Sequence, residues 1–411
     1  MKPTQSVEIG MAGRRVGELL AAPRGGLYFA YDREWLLTGF PLSPLNMQFD
    51  AAPQTASGTH TFGGLHGAFA DSLPDGWGAL LMDRWFRREH GSDRHRISPL
   101  DRLACLGDRA MGALEYRPAL DRDQTGPLAL ASLYQAALQV HQGDTGEALE
   151  ALRQAGGSPG GARPKVVVAL SADHRHCAST FAPLAHGYAH WLVKFRNQDE
   201  HRDTGAIEFA YTRMAAAAGV EMSEATLLPV TSTLGRERFF AARRFDRDGD
   251  RKLHVMTASG ILYADHRLPS LDYGDLLRAT WAITRHADEV KKMARLMAFN
   301  ALAHNHDDHA KNFAFVFDAG RWRLAPAYGL TFSRMQGPAD EHTTAFAGTG
   351  LPTRDTLRKV CAPFPFLHID HYIEQTLDAL SGWDALHVEL DIAPEPARAV
   401  TRALRERRAG L

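Results

Sequence analysis

The chain opens in short alternating runs. Val7-Glu8-Ile9 and Arg15-Val16-Gly17-Glu18-Leu19, around Gly13, predict a β-hairpin, and Leu27 to Ala30 and Glu34 to Leu37 read as two further short strands. From Gly76 the period changes: Trp77, Leu80, Leu81 and Trp85 recur at three- and four-residue spacing and predict a helix with one apolar face. Two more helical stretches, about 128–142 and 145–154, lead to Ala155-Gly156-Gly157-Ser158-Pro159-Gly160-Gly161-Ala162-Arg163-Pro164, the most glycine-dense segment. Beyond it Lys165 to Leu170, His190 to Phe195 and Phe239 to Phe245 are apolar runs of strand type, the last followed by the polar turn Asp246 to Asp250. Ile207 to Ala218 predicts a helix that Gly219 stops. Helices then dominate, one passing through Val290, Met293, Met297 and Ala301. A hairpin, Asn312 to Phe317 and Trp322 to Leu324 around Asp318-Ala319-Gly320, interrupts them, and a helix over Pro396 to Arg408 ends the series. Sheet first, helices later and a strand pair between helices is the order of a two-lobed α+β domain, here behind an N-terminal α+β module that reaches about residue 120.

Composition narrows the classes. The 411 residues suggest two or three domains at roughly 150 residues each. Lys plus Arg is 47 against 48 Asp plus Glu, a net charge of -1, which argues against nucleic-acid binding by bulk charge. At 45% hydrophobic and 23% charged, the chain is not of a disordered or fibrous kind. Cys105, Cys177 and Cys361 are too scattered for a disulfide framework or a Cys-x-x-Cys knuckle, so a reducing, cytoplasmic compartment is expected. The first 20 residues mix charged and apolar groups unlike a signal peptide, and no apolar run approaches the roughly 20 residues of a membrane span.

The densest polar cluster is His304-Asn305-His306-Asp307-Asp308-His309-Ala310-Lys311-Asn312. His304, His306, Asp308 and His309 fit the H-x-H-x-D-H pattern of metallo-β-lactamase-like hydrolases, in which metals activate a water. Such a loop normally follows a buried strand early in a fold, whereas this one ends a long helix. Asp307 and Asn312 instead have the catalytic-loop spacing of protein kinases, where the Asp takes a hydroxyl proton and the Asn binds a metal. Helix, loop and hairpin follow in the order a kinase requires, and Lys311 is placed to neutralise charge on a transferred phosphoryl group. The plain alternative is a solvated helix end, where histidines favour the negative pole of the dipole.

A kinase needs an upstream phosphate site. No G-x-x-x-x-G-K-[S/T] occurs, which removes P-loop chemistry. Gly157 to Gly161 lead into Lys165 and a strand, so backbone amides there can approach phosphate oxygens; a flexible linker is the alternative. Lys194, inside Trp191 to Phe195, is either an edge lysine reaching solvent or the lysine that pairs phosphates, with Glu208 as its candidate carboxylate partner.

Taken in order, Phe69 to Gly78, Asp101 to Gly107, Ser158 to Lys165, Trp191 to Phe195, Arg244 to Arg247, Asn305 to Asn312 and Leu324 to Tyr328 resemble the HipA family of serine/threonine kinases, the toxins of HipA–HipB toxin–antitoxin pairs. The resemblance covers nearly the whole chain. It implies a two-lobed protein-kinase-like fold with an N-terminal subdomain over 1–120. An N-lobe-like region would follow over 121–255, with its glycine-rich loop at 157–165. A mainly helical C-lobe would occupy 256–411, with its catalytic loop at 305–312. It implies ATP and Mg2+ as cofactors, with Asp307 and Lys311 catalytic and Asn312 a metal ligand. Gly160, Gly161, Lys165, Lys194, Arg244, Phe245 and His309 would contact the nucleotide. Ser158 matches the serine that the family autophosphorylates; about two added negative charges where phosphates must bind would silence the kinase. A HipB-like helix-turn-helix antitoxin is the implied partner, through which DNA would mainly be reached, and an aminoacyl-tRNA synthetase is a known type of target.

One position departs from the family. After Pro-Ala-Tyr the family has a metal-binding aspartate, whereas this sequence has Pro326-Ala327-Tyr328-Gly329. Magnesium demands near-octahedral oxygen donors, and glycine offers only its carbonyl. Either the chain is a weak or inactive kinase, acting in the second case as a regulatory module with its antitoxin, or Asp340 or Glu341 substitutes.

Overall fold

Val7, Ile9 and Leu19 are buried, as period-two alternation requires of one sheet face, and Val16 is buried at the register shift of the hairpin. Their strands, Ser6–Met11 and Arg14–Ala21, form the expected hairpin inside a four-stranded sheet, with Leu27–Tyr31 and Glu115–Arg117 at its edges. The computed structural model describes residues 3–22, 25–56, 62–91, 94–119, 126–143, 146–155, 160–334 and 340–411. Two compact units emerge: residues 1–200, 228–256 and 260–263 form one, and 201–227, 257–259 and 264–411 the other.

The first unit holds that sheet and a six-stranded one. In order, the larger sheet contains Pro127–Leu128, Cys177–Ala178, Lys165–Ser171, Tyr188–Lys194, Gly235–Arg243 and Ala225–Ser232, the last belonging to this unit from Leu228 onward. Lys165–Ser171 is buried on both faces over its first six residues, which explains its unbroken apolar run. Tyr134, on the helix Leu130–His141, packs against Phe195 and Phe239 with ring centres 5.6 and 4.9 Å away. The helix Gly76–His90 buries Trp77, Leu81 and Trp85 of the face its spacing predicts, together with Met82 and Phe86, while Leu80 is only half-buried.

Glu34 to Leu37 is not a strand. Residues Arg33–Thr38 form a helix because the Asp32 carboxylate accepts the Glu34 amide at its start, burying Trp35 and leaving Leu37 exposed. The pattern is too short to distinguish the two periods.

Helices make most of the second unit: Thr204–Ala217, Tyr273–Thr284, Ala287–Leu302, Ile369–Ser381 and Pro394–Ala409 are its longest. Ala287–Leu302 buries Val290, Met293, Met297 and Ala301, and ends where His304 turns left-handed at φ 56°. The expected hairpin is present as Ala314–Asp318 paired with Arg321–Leu324, preceded by a short 3-10 turn at Ala310–Asn312. Among the described residues, no helix is long and apolar enough to cross a membrane.

Candidate active site

In the second unit, the loop after Ala287–Leu302 alternates buried and accessible side chains. His306 and Asp308 are buried while Asp307 between them is exposed. Asp308 fixes the loop from behind: its carboxylate accepts from the Tyr273 hydroxyl (2.8 Å) and the Thr344 amide (3.0 Å), and lies 3.0 Å from His342 Nδ1. Burial, then the Asp308 charge, pushes the Tyr273 hydroxyl well above its usual range, so it remains a donor. The network continues through Asn300, which donates to Tyr273, and Asn305, which donates to Asn300. Buried chains of this kind hold a backbone in one arrangement because each broken link leaves a polar group unpaired.

On the accessible side, the Asp307 amide donates to Ser333 Oγ at 3.0 Å, and the Asp307 carboxylate lies 3.8 Å from His309 Nε2. Asn312 folds back so that Nδ2 donates to the Asp307 carbonyl. The His309 ring accepts the Lys311 amide through Nδ1 (3.2 Å), and Tyr328 donates to the Lys311 carbonyl (2.7 Å). A Cβ at Gly329 would stand 3.5 Å from Asn312 Oδ1. Asp307, His309, Asn312 and Gly329 therefore belong to one small cluster, and a side chain at 329 would begin next to the Asn312 oxygen.

Asp340, weighed from sequence as a substitute ligand, faces two histidines: His306 Nδ1 is 3.1 Å and His304 Nε2 3.6 Å from its carboxylate. Glu341 is exposed, with its Cβ against Gly350. Burial, and then the His342 and His304 charges, lowers His306 to about 3; burial also lowers His304. Both rings are neutral near pH 7. The four residues of the hydrolase pattern divide: Asp308 turns to Tyr273, Thr344 and His342, and His309 to Lys311 and Asp307.

In the first unit, the described part of the glycine-rich loop packs on the start of Gly76–His90. The Asp75 carboxylate accepts the Gly161 amide, and Trp77 N donates to the Gly161 carbonyl at 3.0 Å. A Cβ at Gly160 would meet Asp75 Oδ1 at 2.8 Å, and one at Gly161, whose φ is +95°, would meet Lys165 Nζ at 2.3 Å. Both glycines are needed for this approach. Gly157, Ser158 and Pro159 lie outside the described residues. Lys165 Nζ donates to the Gly160 carbonyl, and Lys165 is paired directly across the sheet with Lys194. Opposed residues of antiparallel strands share a face, so two cations stand side by side. Lys194 also sits over the Phe240 ring at 5.5 Å. Sequence marks Asp75 only as part of the Phe69–Gly78 run and assigns it no role; its signal is an acid directly before a helix-opening glycine.

Arg244 is buried and committed to Asp246, with contacts of 2.8 and 2.5 Å, and Arg247 joins the same carboxylate at 2.9 Å. Burial alone would raise the Asp246 carboxyl, but Arg244 and Arg247 hold it far below the carboxylate range. The two arginines line a cleft of about 270 Å³ with His190, Arg109, Lys252 and Phe181. Phe245 is half-buried beside them. Glu208 is buried on Thr204–Ala217, in the second unit.

The chain mixes sheets and helices and is of the α+β class expected from its sequence. Two family models match it, the HipA N-terminal domain over residues 7–117 and the HipA-like C-terminal domain over 157–399. The chain belongs to the HipA family. Among solved structures it is similar to HipA of Shewanella oneidensis MR-1, from a complex of that toxin–antitoxin system's HipA and HipB with operator DNA. That match has 17% identity and a TM-score of 0.69, covering 98% of this chain and 96% of the other. A second is the proinflammatory kinase CtkA of Helicobacter pylori, at 14% identity and TM-score 0.37, covering 54% and 88%. No curated protein matches the chain.

Proposed function

We propose that the chain is an ATP-dependent serine/threonine protein kinase, the toxin of a toxin–antitoxin pair, slowed by the glycine at position 329. The observation that carries this reading is the Asp307–Asn312 loop: an exposed carboxylate on a backbone held from behind by the buried Asp308 network. ATP would supply the transferable phosphoryl group. Asp307 accepts the proton of the attacking hydroxyl, and Lys311 offsets charge on the transferred group. Lys165 and Lys194, two like charges opposed on one sheet face, gain most when an anion lies between them, which suits the phosphates. Gly160 and Gly161 leave backbone within reach of the same phosphates, and Arg244, Phe245 and His309 complete the nucleotide contacts.

The magnesium fit is poorer. Asn312 Oδ1 is an oxygen donor, but position 329 adds no carboxylate beside it, and Asp340 faces histidines. The donor set is short of what an octahedral ion demands. That shortage favours a second reading, a regulatory module that binds nucleotide and antitoxin without transferring phosphate. In both readings the partner is a HipB-like helix-turn-helix antitoxin, and DNA is reached mainly through it, consistent with a net charge of -1. The protein is placed in the cytoplasm, with a protein substrate of the aminoacyl-tRNA synthetase kind and Ser158 as the autophosphorylation site. The division at residues 120 and 255 into N-terminal subdomain, N-lobe and C-lobe belongs to the same reading.

Transfer of labelled phosphate from ATP by the wild-type chain, beside Asp307→Ala, tests the proposal. Wild-type incorporation should fall by about a hundredfold or more in the variant. Equal incorporation removes Asp307 as the base. Nucleotide-dependent thermal stabilisation without any transfer selects the regulatory reading.

A further inference from the structure

His304, His306 and Asp340 bring three metal-binding side chains together, and each offers one donor atom such that all three atoms lie within 4.8 Å of one another. His306 Nδ1 lies 3.1 Å from Asp340 Oδ1 and His304 Nε2 3.6 Å from Asp340 Oδ2, one histidine at each carboxylate oxygen and both near the roughly 3.4 Å between donors bonded at about 2.0–2.2 Å to one tetrahedral ion. The His304 and His306 rings stack with centres 4.0 Å apart and planes inclined by 14°, so a small ring rotation closes the third side.

Beside this cluster lies a further imidazole, and two ring nitrogens that face away from Asp340 are unpaired. His306 Nε2 and His342 Nε2 are buried and make no hydrogen bond. Their rings are 4.2 Å apart, and His342 presents its other nitrogen, Nδ1, to Asp308 at 3.0 Å. An imidazole backed by a carboxylate, with its second nitrogen buried and unpaired, is the arrangement found around metal-ligating histidines. The anchors are also well supported: the Ser333 carbonyl lies 3.2 Å from His304 Nδ1, and the His306 carbonyl accepts from Thr343.

We propose that His304, His306 and Asp340 form a site for a divalent transition ion of the zinc type, with His342 as the neighbouring imidazole. Two imidazoles and one carboxylate select such ions over magnesium, which prefers oxygen donors. Arg334, at 4.0 Å from Asp340, is half-exposed on its side chain and lies over the Phe332 ring at 5.6 Å. The ion would join Asp340 to His304 and His306, three and one positions before Asp307, and so stiffen the loop. This site is neither the Asn312 position nor the four-residue hydrolase pattern, and it does not depend on the kinase reading.

The test uses the full, tag-free chain, stripped with chelator and titrated with cobalt(II) and then zinc. Wild type should show the visible absorption of low-coordinate cobalt, bleached by one equivalent of zinc, and zinc should raise its melting temperature. Asp340→Asn and His304→Gln should weaken binding at least tenfold while keeping the metal-free melting profile. Asp340→Asn is the safer variant because its side chain is partly exposed. Absence of the cobalt band in wild type, or equal zinc binding in both variants, overturns the site; magnesium reproducing the zinc stabilisation overturns its assignment to transition ions.

Discussion

Neighbouring carboxylates in one short run do opposite things. Asp308 is buried among three donors and holds the loop, whereas Asp307 is exposed. Gly329 shows the same dependence on surroundings. Its φ of +69° suits glycine, yet its missing side chain would begin 3.5 Å from Asn312 Oδ1. Aspartate tolerates the left-handed region better than most residues, so Gly329→Asp should cost only about 1–2 kcal/mol in backbone strain. Two oxygen donors side by side repel until a cation joins them. The variant should therefore gain magnesium-dependent thermal stabilisation and transfer labelled phosphate faster, on the order of tenfold or more. An unchanged rate in an otherwise active protein would show that position 329 does not limit it.

At the scale of elements, the glycine turn is built by the helix it rests on. Asp75 stands at the N-cap of Gly76–His90 but gives its carboxylate to Gly161 rather than to its own helix. Gly76 allows the approach, since a Cβ there would lie 2.5 Å from the Gly161 carbonyl. Asp75→Ala removes a charge-assisted hydrogen bond and should lower stability by about 1.5–3 kcal/mol, read as a lower melting temperature. In the proposed function the loosened turn should also weaken ATP binding, measured by titration beside wild type. The same scale explains why Glu34 to Leu37 misled: a short, mostly apolar run fits a strand, but a capping aspartate just upstream began a helix.

Across the whole first unit, three buried histidines set a common acid limit. Burial lowers His66, His190 and His254 each to about 4, with Arg244 and Arg247 adding to the effect at His190, while the Leu42 carbonyl opposes it at His254. Their unfolded values lie near 6.5, so the unfolded chain binds more protons between pH 6.5 and 4. The stability they contribute is complete above about pH 6.5 and is lost as pH falls toward 4, at up to about 1.4 kcal/mol per pH unit for each group. Melting temperature should stay level from pH 8 to 7 and fall steadily between pH 6 and 4. Replacing His254 with Gln should shallow that fall.

What lies close together in the chain was legible without a structure. The helices at 76–90 and 287–302, the hairpin after Asn312 and the Asp307–Asn312 spacing are all local patterns, fixed by periodicity and by neighbours a few residues apart, while the glycine at 329 stood out only against the family resemblance. What joins distant residues was not. Asp340 comes to His306 across 34 positions, Asp75 to Gly161 across 86, and Lys165 to Lys194 through strand register alone. Such pairings are chosen by which buried surfaces and unpaired polar groups are satisfied together, a property of the packed chain that no local window carries.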